Sequence, residues 1–495
     1  MRSSHTLDAL SVQFDDANLV ANAGLVLPAT LAQHLGLEEL YRRHVRLGDA
    51  PGRPNAGIKA MTLIHSALAG GDCIDDADVL RSGCTEAVLG HALRAPSTLG
   101  TYLRSFCWGD VRSLDRVARV ALGRAWEAGA GPTGKLLKVD LDSSVCETYG
   151  LAKEGGSRFC YNHVRGYHPM LAVADDQVIH ARLRGGPAHS GRGAKSFLAE
   201  CFARVREAGY EGSIILRADS GFYNHFVTGA CDRAKVRWSI TTKTSPRLHK
   251  VIAAVPEEDW VPIPYFMEGA AVAETTYVPF ARQCKGAKAV RLIVRRVPPS
   301  PGSQLALYTD YSYHAFVTNR HGEMLVLEAD HRAHAEVENT IRDLKYGMGL
   351  NHLPSGRFGA NGAWFALNVM AHNLVRWADA IALGEGSPMT TKTFRRRLVA
   401  LPGRLARSGR RLSLHLPERW PWEEQFLHAL GAARCLRRRL RPPGPSTTGS
   451  STTVPGSARP AQSGPAACGL ALPRPRGSPT TAKAFARRLG RKTAP

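Results

Sequence analysis

The alternation of elements between residues 135 and 242 limits the fold more than any other stretch of this 495-residue chain. Residues 136–142 form a short strand-like run. Residues 170–173 and 178–183 read as two more strands, with Asp175-Asp176 at the turn between them. A helical pattern follows over 194–208. Next comes a buried-looking strand at 213–217 that runs into Asp219, then a helix over 224–235 and a strand over 237–241. Three strands, a helix and then strand–helix–strand predict an α/β fold built on a mixed sheet.

The rest of the chain is organised around that segment. Residues 1–130 read as mainly helical, with apolar residues at helical spacing over 27–37 and 57–69. The acidic run from Gly70 to Asp78 lacks the full calcium-loop pattern, so it is expected to be a helix break followed by a new, acid-rich helix start. Residues 243–312 carry short β-prone pieces between Pro and Gly and are expected to be a β-rich insertion. Residues 313–384 are expected to be the second part of the core, returning to helix over 325–384; 385–440 form a basic helical region, and 441–495 are expected to be a disordered tail rich in Pro, Ser and Arg.

The net charge is +23, and removing the nine Lys and Arg of the acid-free tail still leaves +14 for the body. A body this basic favours polyanions, of which nucleic acid is the commonest. No run of eighteen apolar residues suggests a membrane span, and residues 1–10 do not resemble a secretory signal, so a cytoplasmic setting without a membrane partner is expected. Ten cysteines are scattered with no C-x-x-C pair, which argues against a structural zinc site and a disulfide framework.

Three places carry candidate chemistry. In Lys138-Val139-Asp140-Leu141-Asp142-Ser143, Asp140 and Asp142 share one face of a strand. In Arg217-Ala218-Asp219-Ser220-Gly221-Phe222, an acid ends a β-prone run, where open α/β sheets tend to place ligands. In the segment 331–345, a step of about 100° per residue puts His331, His334, Glu338, Arg342 and Lys345 on one stripe. Asp142, Asp219 and Glu338 form a donor set suited to two Mg²⁺ (or Mn²⁺) ions about 3.5–4 Å apart, the arrangement that breaks phosphodiesters. Lys345 would hold a phosphate beside them. Trp260, in the insertion, is a candidate for stacking on an unpaired base, with burial in a core as the commoner role. Arg395-Arg396-Arg397 with Arg404, Arg407, Arg410 and Arg411 would contact backbone phosphates.

In order and spacing these motifs resemble the DDE transposases of bacterial insertion sequences. The likeness is to the branch with a Y-(2)-R-(3)-E-(6)-K signature and, within it, insertion-sequence family thirteen-eighty. It rests on Asp140-Leu141-Asp142-Ser143-Ser144 with Tyr161-Asn162 and Gly166-Tyr167-His168-Pro169; on Asp219-Ser220-Gly221-Phe222; on Glu338-Asn339 with Lys345; and on Asn361-Gly362-Ala363-Trp364-Phe365 with Ala371-His372-Asn373-Leu374-Val375-Arg376-Trp377. It spans roughly residues 10–435.

The resemblance implies an RNase H-like core with Asp142, Asp219 and Glu338 as catalytic metal ligands and Asp140 in reserve. Lys345, Arg342, His331, His334 and Trp260 become candidates for phosphate or DNA contact. It further implies a β-rich insertion, double-stranded DNA (element ends and target) as substrate, a homodimer on paired ends, and a bacterial, nucleoid-associated setting. His331 and His334 stand where the signature has Tyr and Arg. Two other uses of such a core therefore stay open: a nuclease that never joins strands, and a decayed or domesticated copy that only binds DNA.

Overall fold

Along Leu136–Ser143 (β1), Leu137, Val139 and Leu141 are buried on one face, and Asp140 and Asp142 lie on the other. This period of two makes the segment a strand rather than a helix. The computed structural model describes residues 7–150, 152–263, 267–284, 286–299, 311–383 and 388–439. Met170–Ala174 (β2) pairs antiparallel with β1, and Gln177–Arg182 (β3) pairs antiparallel with β2. Ser213–Ala218 (β4) and Arg237–Thr241 (β5) then add in parallel on the other side of β1. Parallel neighbours need crossovers, and helices Ala194–Glu207 (α6) and His225–Arg233 (α7) supply helical segments between β3 and β4 and between β4 and β5. The mixed α/β expectation for this segment agrees with the sheet observed.

Residues 243–312 contain strands, as expected, but those strands do not stand apart. Val261–Pro262 (β6), Ala271–Tyr277 (β7) and Val290–Val297 (β8) join Ser312–Thr318 (β9) to continue the same sheet, whose full order is β6-β7-β8-β9-β5-β4-β1-β2-β3. The junction is antiparallel, with Phe316 opposite Thr241 and Thr318 opposite Ser239. Without β9, β5 would be an edge with a row of unpaired backbone groups. The helix Pro246–Ala253 (α8), capped by the Ser245 side chain, also lies in this segment.

Helical elements cover the other end of the sheet. The N-terminal region holds Val26–His34 (α1), Leu37–His44 (α2), Ala56–Ala69 (α3), Pro96–Arg104 (α4) and Trp108–Ala125 (α5). Phe358–Ala382 (α11) is apolar nearly all round and buried, packing against α3, α5 and Glu423–Arg439 (α12). A helix apolar on every side belongs inside a protein or a membrane. Here neighbouring helices surround it, and among the described residues no helix is long and apolar enough to cross a membrane.

Buried polar groups fasten this layer to the sheet. Trp126 and Trp377 both donate their indole N–H to Gln177 Oε1, at 2.9 and 3.0 Å, and the Gln177 amide donates to the Ala130 carbonyl. Asn373 accepts from the Val178 amide and donates to the Val178 carbonyl, each at 2.9 Å. Its side-chain amide thus stands in for a neighbouring strand on the outer margin of β3.

The N-terminal end of α11 fits α5's approach so closely that a side chain at Gly359 has no room: a Cβ would come within 2.1 Å of the Phe106 carbonyl oxygen. Gly359→Ala is expected to cost at least roughly 1–3 kcal/mol through a forced backbone shift. An unchanged denaturant midpoint would show that the contact is slack.

The C-terminal region corrects one expectation. Residues 385–440 were read as helical, yet Gly403–Ser408 (β10) and Arg411–His415 (β11) form a β-hairpin, and Gly403 and Arg404 pair with Leu19 and Val20. The local signal was Ser408-Gly409-Arg410: Gly409 has φ +58°, a value that suits the first position of a tight hairpin turn. The tail, 441–495, lies outside the described residues.

Candidate active site

β1 and β4 run parallel in a register that pairs Asp140 with Arg217 and Leu141 with Ala218. One step further, the same 77-residue offset brings Asp142 level with Asp219. Both acids therefore leave the carboxyl ends of adjacent central strands, on one face, at the position where open α/β sheets bind ligands.

Asp140 has another task. Arg217 donates Nε and Nη2 to its two oxygens, both at 2.7 Å, and His334 Nδ1 lies 2.7 Å from Oδ1. Arg217 also donates to the Asp330 carbonyl, while Asp330 takes Arg320 and Lys138 at 2.5 Å each. With both oxygens engaged, Asp140 is a structural anchor rather than a reserve metal ligand. The network ties β1 and β4 to Met324–Arg332 (α9), the helix that precedes the one bearing Glu338.

Glu338 begins Val337–Gly347 (α10), with Arg342 and Lys345 one and two turns on. Asp142, Asp219, Glu338, Arg342 and Lys345 line one cleft of about 920 Å³. A second cavity of about 320 Å³ shares the three acids and adds His331 and His334. Of the residues expected to face phosphate, then, the main cleft gathers Lys345 and Arg342.

The two histidines are displaced by a change of helix type. The segment was read as one continuous helix, but Ala333–Glu336 is a 3₁₀ turn between α9 and α10. A 3₁₀ turn advances about 120° per residue rather than 100°, so residues before it lose phase with those after it. His331 turns inward, stacks on Phe316 with ring centroids 4.1 Å apart, and places Nε2 2.9 Å from Thr241 Oγ1. His334 faces Asp140. Trp260 is only 9% exposed, with the Arg296 guanidinium 4.5 Å from its ring centre, and it does not line the cleft. Its core role, rather than base stacking, is what the structure displays.

Other rings do reach the cleft. Phe159, Tyr161 and Tyr346 are 64%, 75% and 73% exposed at its wall. Sequence reasoning used Tyr161 only as part of a motif and passed over the other two, because exposed aromatics leave no periodic signal. The basic cluster also divides. Arg395 donates to the carbonyls of Ala67, Leu68 and Gly347, closing the C-terminal ends of α3 and α10, and Arg397 lies over Trp422. Neither of these two is a free phosphate contact.

The electrostatics of the cleft suit a cation. Burial raises the Asp142 carboxyl to about 6. The Ser143 amide and His334 oppose the rise, while the charges of Asp219 and Glu338 reinforce it. Burial also raises Asp219, against His334, the Gly221 and Phe222 amides and Lys243. Asp142 and Asp219, hard oxygen donors pushed up by burial and, for Asp142, by its acidic neighbours as well, fit divalent ions.

Among the described residues, the two trios with ligand atoms all within 4.8 Å of one another are elsewhere. Asp115, His180 and Glu200 are already matched by Arg204 on Asp115 at 2.5 Å and Arg182 on Glu200 at 2.8 Å, which makes a partly buried ion-pair cluster of them. In the other trio, Asp76 accepts the Asp72 and Cys73 amides and so closes the turn between α3 and the short helix Ala77–Leu80, the helix break and new start expected there. Asp142, Asp219 and Glu338 do not form such a trio.

Three buried imidazoles make stability fall in acid. Burial lowers His65 to about 3, His180 to about 4 and His331 to about 3, from an ordinary 6.5. Because the folded values lie below the unfolded one, the unfolded chain takes up these protons first. Their stabilisation is complete above about pH 6.5 and declines toward pH 4, by up to about 1.4 kcal/mol per imidazole per pH unit. Denaturant midpoints at pH 7.5, 6 and 5 test this, and a midpoint that stays level would rule it out.

The comparisons with known proteins cover most of the chain. No curated protein matches it. Among solved structures it is similar to the cryo-EM structure of the piggyBac transposase synaptic complex with hairpin DNA, at 10% identity and a TM-score of 0.43, over 86% of this chain and 83% of that one. The family described as transposase DDE domain group 1 matches residues 3–438. With nearly all of its described residues inside that match, the chain belongs to the DDE transposases of that group.

Proposed function

We propose that Asp142, Asp219 and Glu338 are the catalytic carboxylates of this transposase and hold two Mg²⁺ or Mn²⁺ ions in the cleft. The observation that carries the reading is the strand register: it sets Asp142 beside Asp219, with Glu338 lining the same cleft. The order β3-β2-β1-β4-β5, with two acids at the ends of central strands, supports an RNase H-like core. When bound, the ions supply an activated attacking oxygen and a stabilised leaving oxygen. The chain's own residues do the rest. Lys345 and Arg342 hold the scissile strand's phosphates, and the Asp140–Arg217 pair fixes the strand ends.

On this reading the enzyme nicks double-stranded DNA at the element's ends and joins the freed 3′-hydroxyl to target DNA. It acts as a homodimer on paired ends in a bacterial cytoplasm, within insertion-sequence family thirteen-eighty. The departures at His331 and His334 are absorbed by packing and leave the three acids and Lys345 in place. A strand-transfer assay with pre-cut ends separates this reading from a nuclease that never joins strands.

The metal assignment has a test independent of activity. Fe²⁺ with ascorbate, in place of Mg²⁺, is expected to cut the polypeptide near residues 142, 219 and 338, and Asp142→Asn is expected to suppress all three cuts. Cuts clustered around Asp115, His180 and Glu200 instead would overturn the assignment.

A further inference from the structure

The β10–β11 hairpin is a basic, exposed element outside the cleft. From Gly403 to His415 it carries four arginines, one histidine and no acid. Arg404, near its base, pairs with Asp16 at 3.1 Å. Arg407, Arg410 and Arg411 are exposed at the tip and, among the described residues, have no carboxylate within ion-pair distance. None of the hairpin residues lines the carboxylate cleft.

Cross-strand pairing sorts the side chains. Arg404 with His415, Ala406 with Ser413 and Ser408 with Arg411 share one face, on which small residues lie between cations. Arg407 and Leu412 share the other, where Leu412 is 52% exposed. Only Gly403 and Arg404, at the base, pair with a third strand. A two-stranded hairpin is marginal alone in water, and like charges gathered at its tip add repulsion. A polyanion removes that repulsion. Two strands about 4.8 Å apart also fit a major groove about 12 Å wide, which admits a β-ribbon.

We propose that this hairpin is a DNA-contacting ribbon that enters the major groove of duplex DNA tip first, with Arg407, Arg410 and Arg411 on the groove's phosphates and base edges. The inference rests on the chain's membership of a DNA transposase family. It adds a contact surface separate from the cleft.

The test uses the full chain in EDTA and a fluorescein-labelled 30-base-pair duplex of arbitrary sequence, read by anisotropy at a series of KCl concentrations. Each phosphate contact contributes about 0.9 to the slope of log affinity against log salt. Arg407→Ala/Arg410→Ala/Arg411→Ala is therefore expected to flatten the slope by about 2–3 and to weaken binding at least roughly tenfold at low salt. A second duplex, carrying glucosylated 5-hydroxymethylcytosine, fills the major groove. The wild type is expected to bind it at least tenfold more weakly, and the triple variant to be nearly indifferent. An unchanged slope in the variant, or no wild-type penalty on the filled groove, overturns the proposal. No cleavage is read, so neither result depends on the carboxylate assignment, which fails separately if Asp142→Asn still cuts DNA.

Discussion

Asp142→Asn is expected to abolish DNA cleavage, by roughly a thousandfold or more, while leaving duplex binding within about twofold. Asparagine keeps an oxygen for the Ser143 amide, which Asp142 accepts at 2.6 Å, but it removes the negative charge that holds a divalent ion. Loss of one group that acts directly on transition-state charge typically costs about 3–4 kcal/mol, and a missing metal costs more. The same substitution has a second signature. The carboxyl stands at about 6 in the folded protein against an ordinary 3.8, so at pH 7.5 the ionised form is held at a cost. With chelator present, Asp142→Asn is therefore expected to be more stable than the wild type, by up to about 3 kcal/mol. A merely structural acid would show the reverse pairing: lower stability with cleavage preserved. That result would remove Asp142 from the catalytic set.

Arg217→Met is expected to be the most destabilising single change near the site. Arg217 is only 6% exposed and holds Asp140 through both oxygens and Asp330 through its carbonyl. Removing one member of a buried ion pair leaves the other charged and uncompensated, at about 3–5 kcal/mol. The partner variant Asp140→Leu/Arg217→Met removes both charges and is expected to recover a large part of that loss, because an apolar pair of similar volume is often as stable as a buried ion pair. Chemical denaturation of the two variants and Asp140→Leu, run as a cycle, reads the coupling directly. A loss below about 1 kcal/mol for Arg217→Met would mean that water reaches the pair. Where the double variant folds but cleaves poorly, the network's contribution is to position the strand ends rather than to hold them together.

These two sites show how far the residues could be read in advance. Short β-prone runs exposed β1 through β5, and with them the strand-end placement of Asp142 and Asp219: β2 and β4 are buried along nearly their whole length and read as continuous apolar stretches. Arg217 stood in the same motif as Asp219 yet gave no hint of its role, since its partner is set by the register between two strands rather than by either strand. The 331–345 segment failed differently. A fixed rotation per residue is sound only while the hydrogen-bond pattern holds, and the 3₁₀ turn at Ala333–Glu336 resets it, carrying His331 into the interior. Trp260 and Arg395 were read from residue type alone, and residue type does not say what covers a ring or which carbonyls a guanidinium closes. The 403–415 hairpin was hidden by composition: a run rich in arginine and leucine suits a helix as well as a strand, and only Gly409 spoke for the turn.

The way the sheet ends has a bearing on how copies of this protein coexist. At one margin the Asn373 amide occupies the Val178 backbone groups. At the other, Pro262 has no N–H to offer in a strand of two residues. Molecules crowded along a single stretch of chromosome would otherwise be well placed to stitch together, border to border, into insoluble ribbons. With both borders blunted, crowding on a shared template need not lead to aggregation.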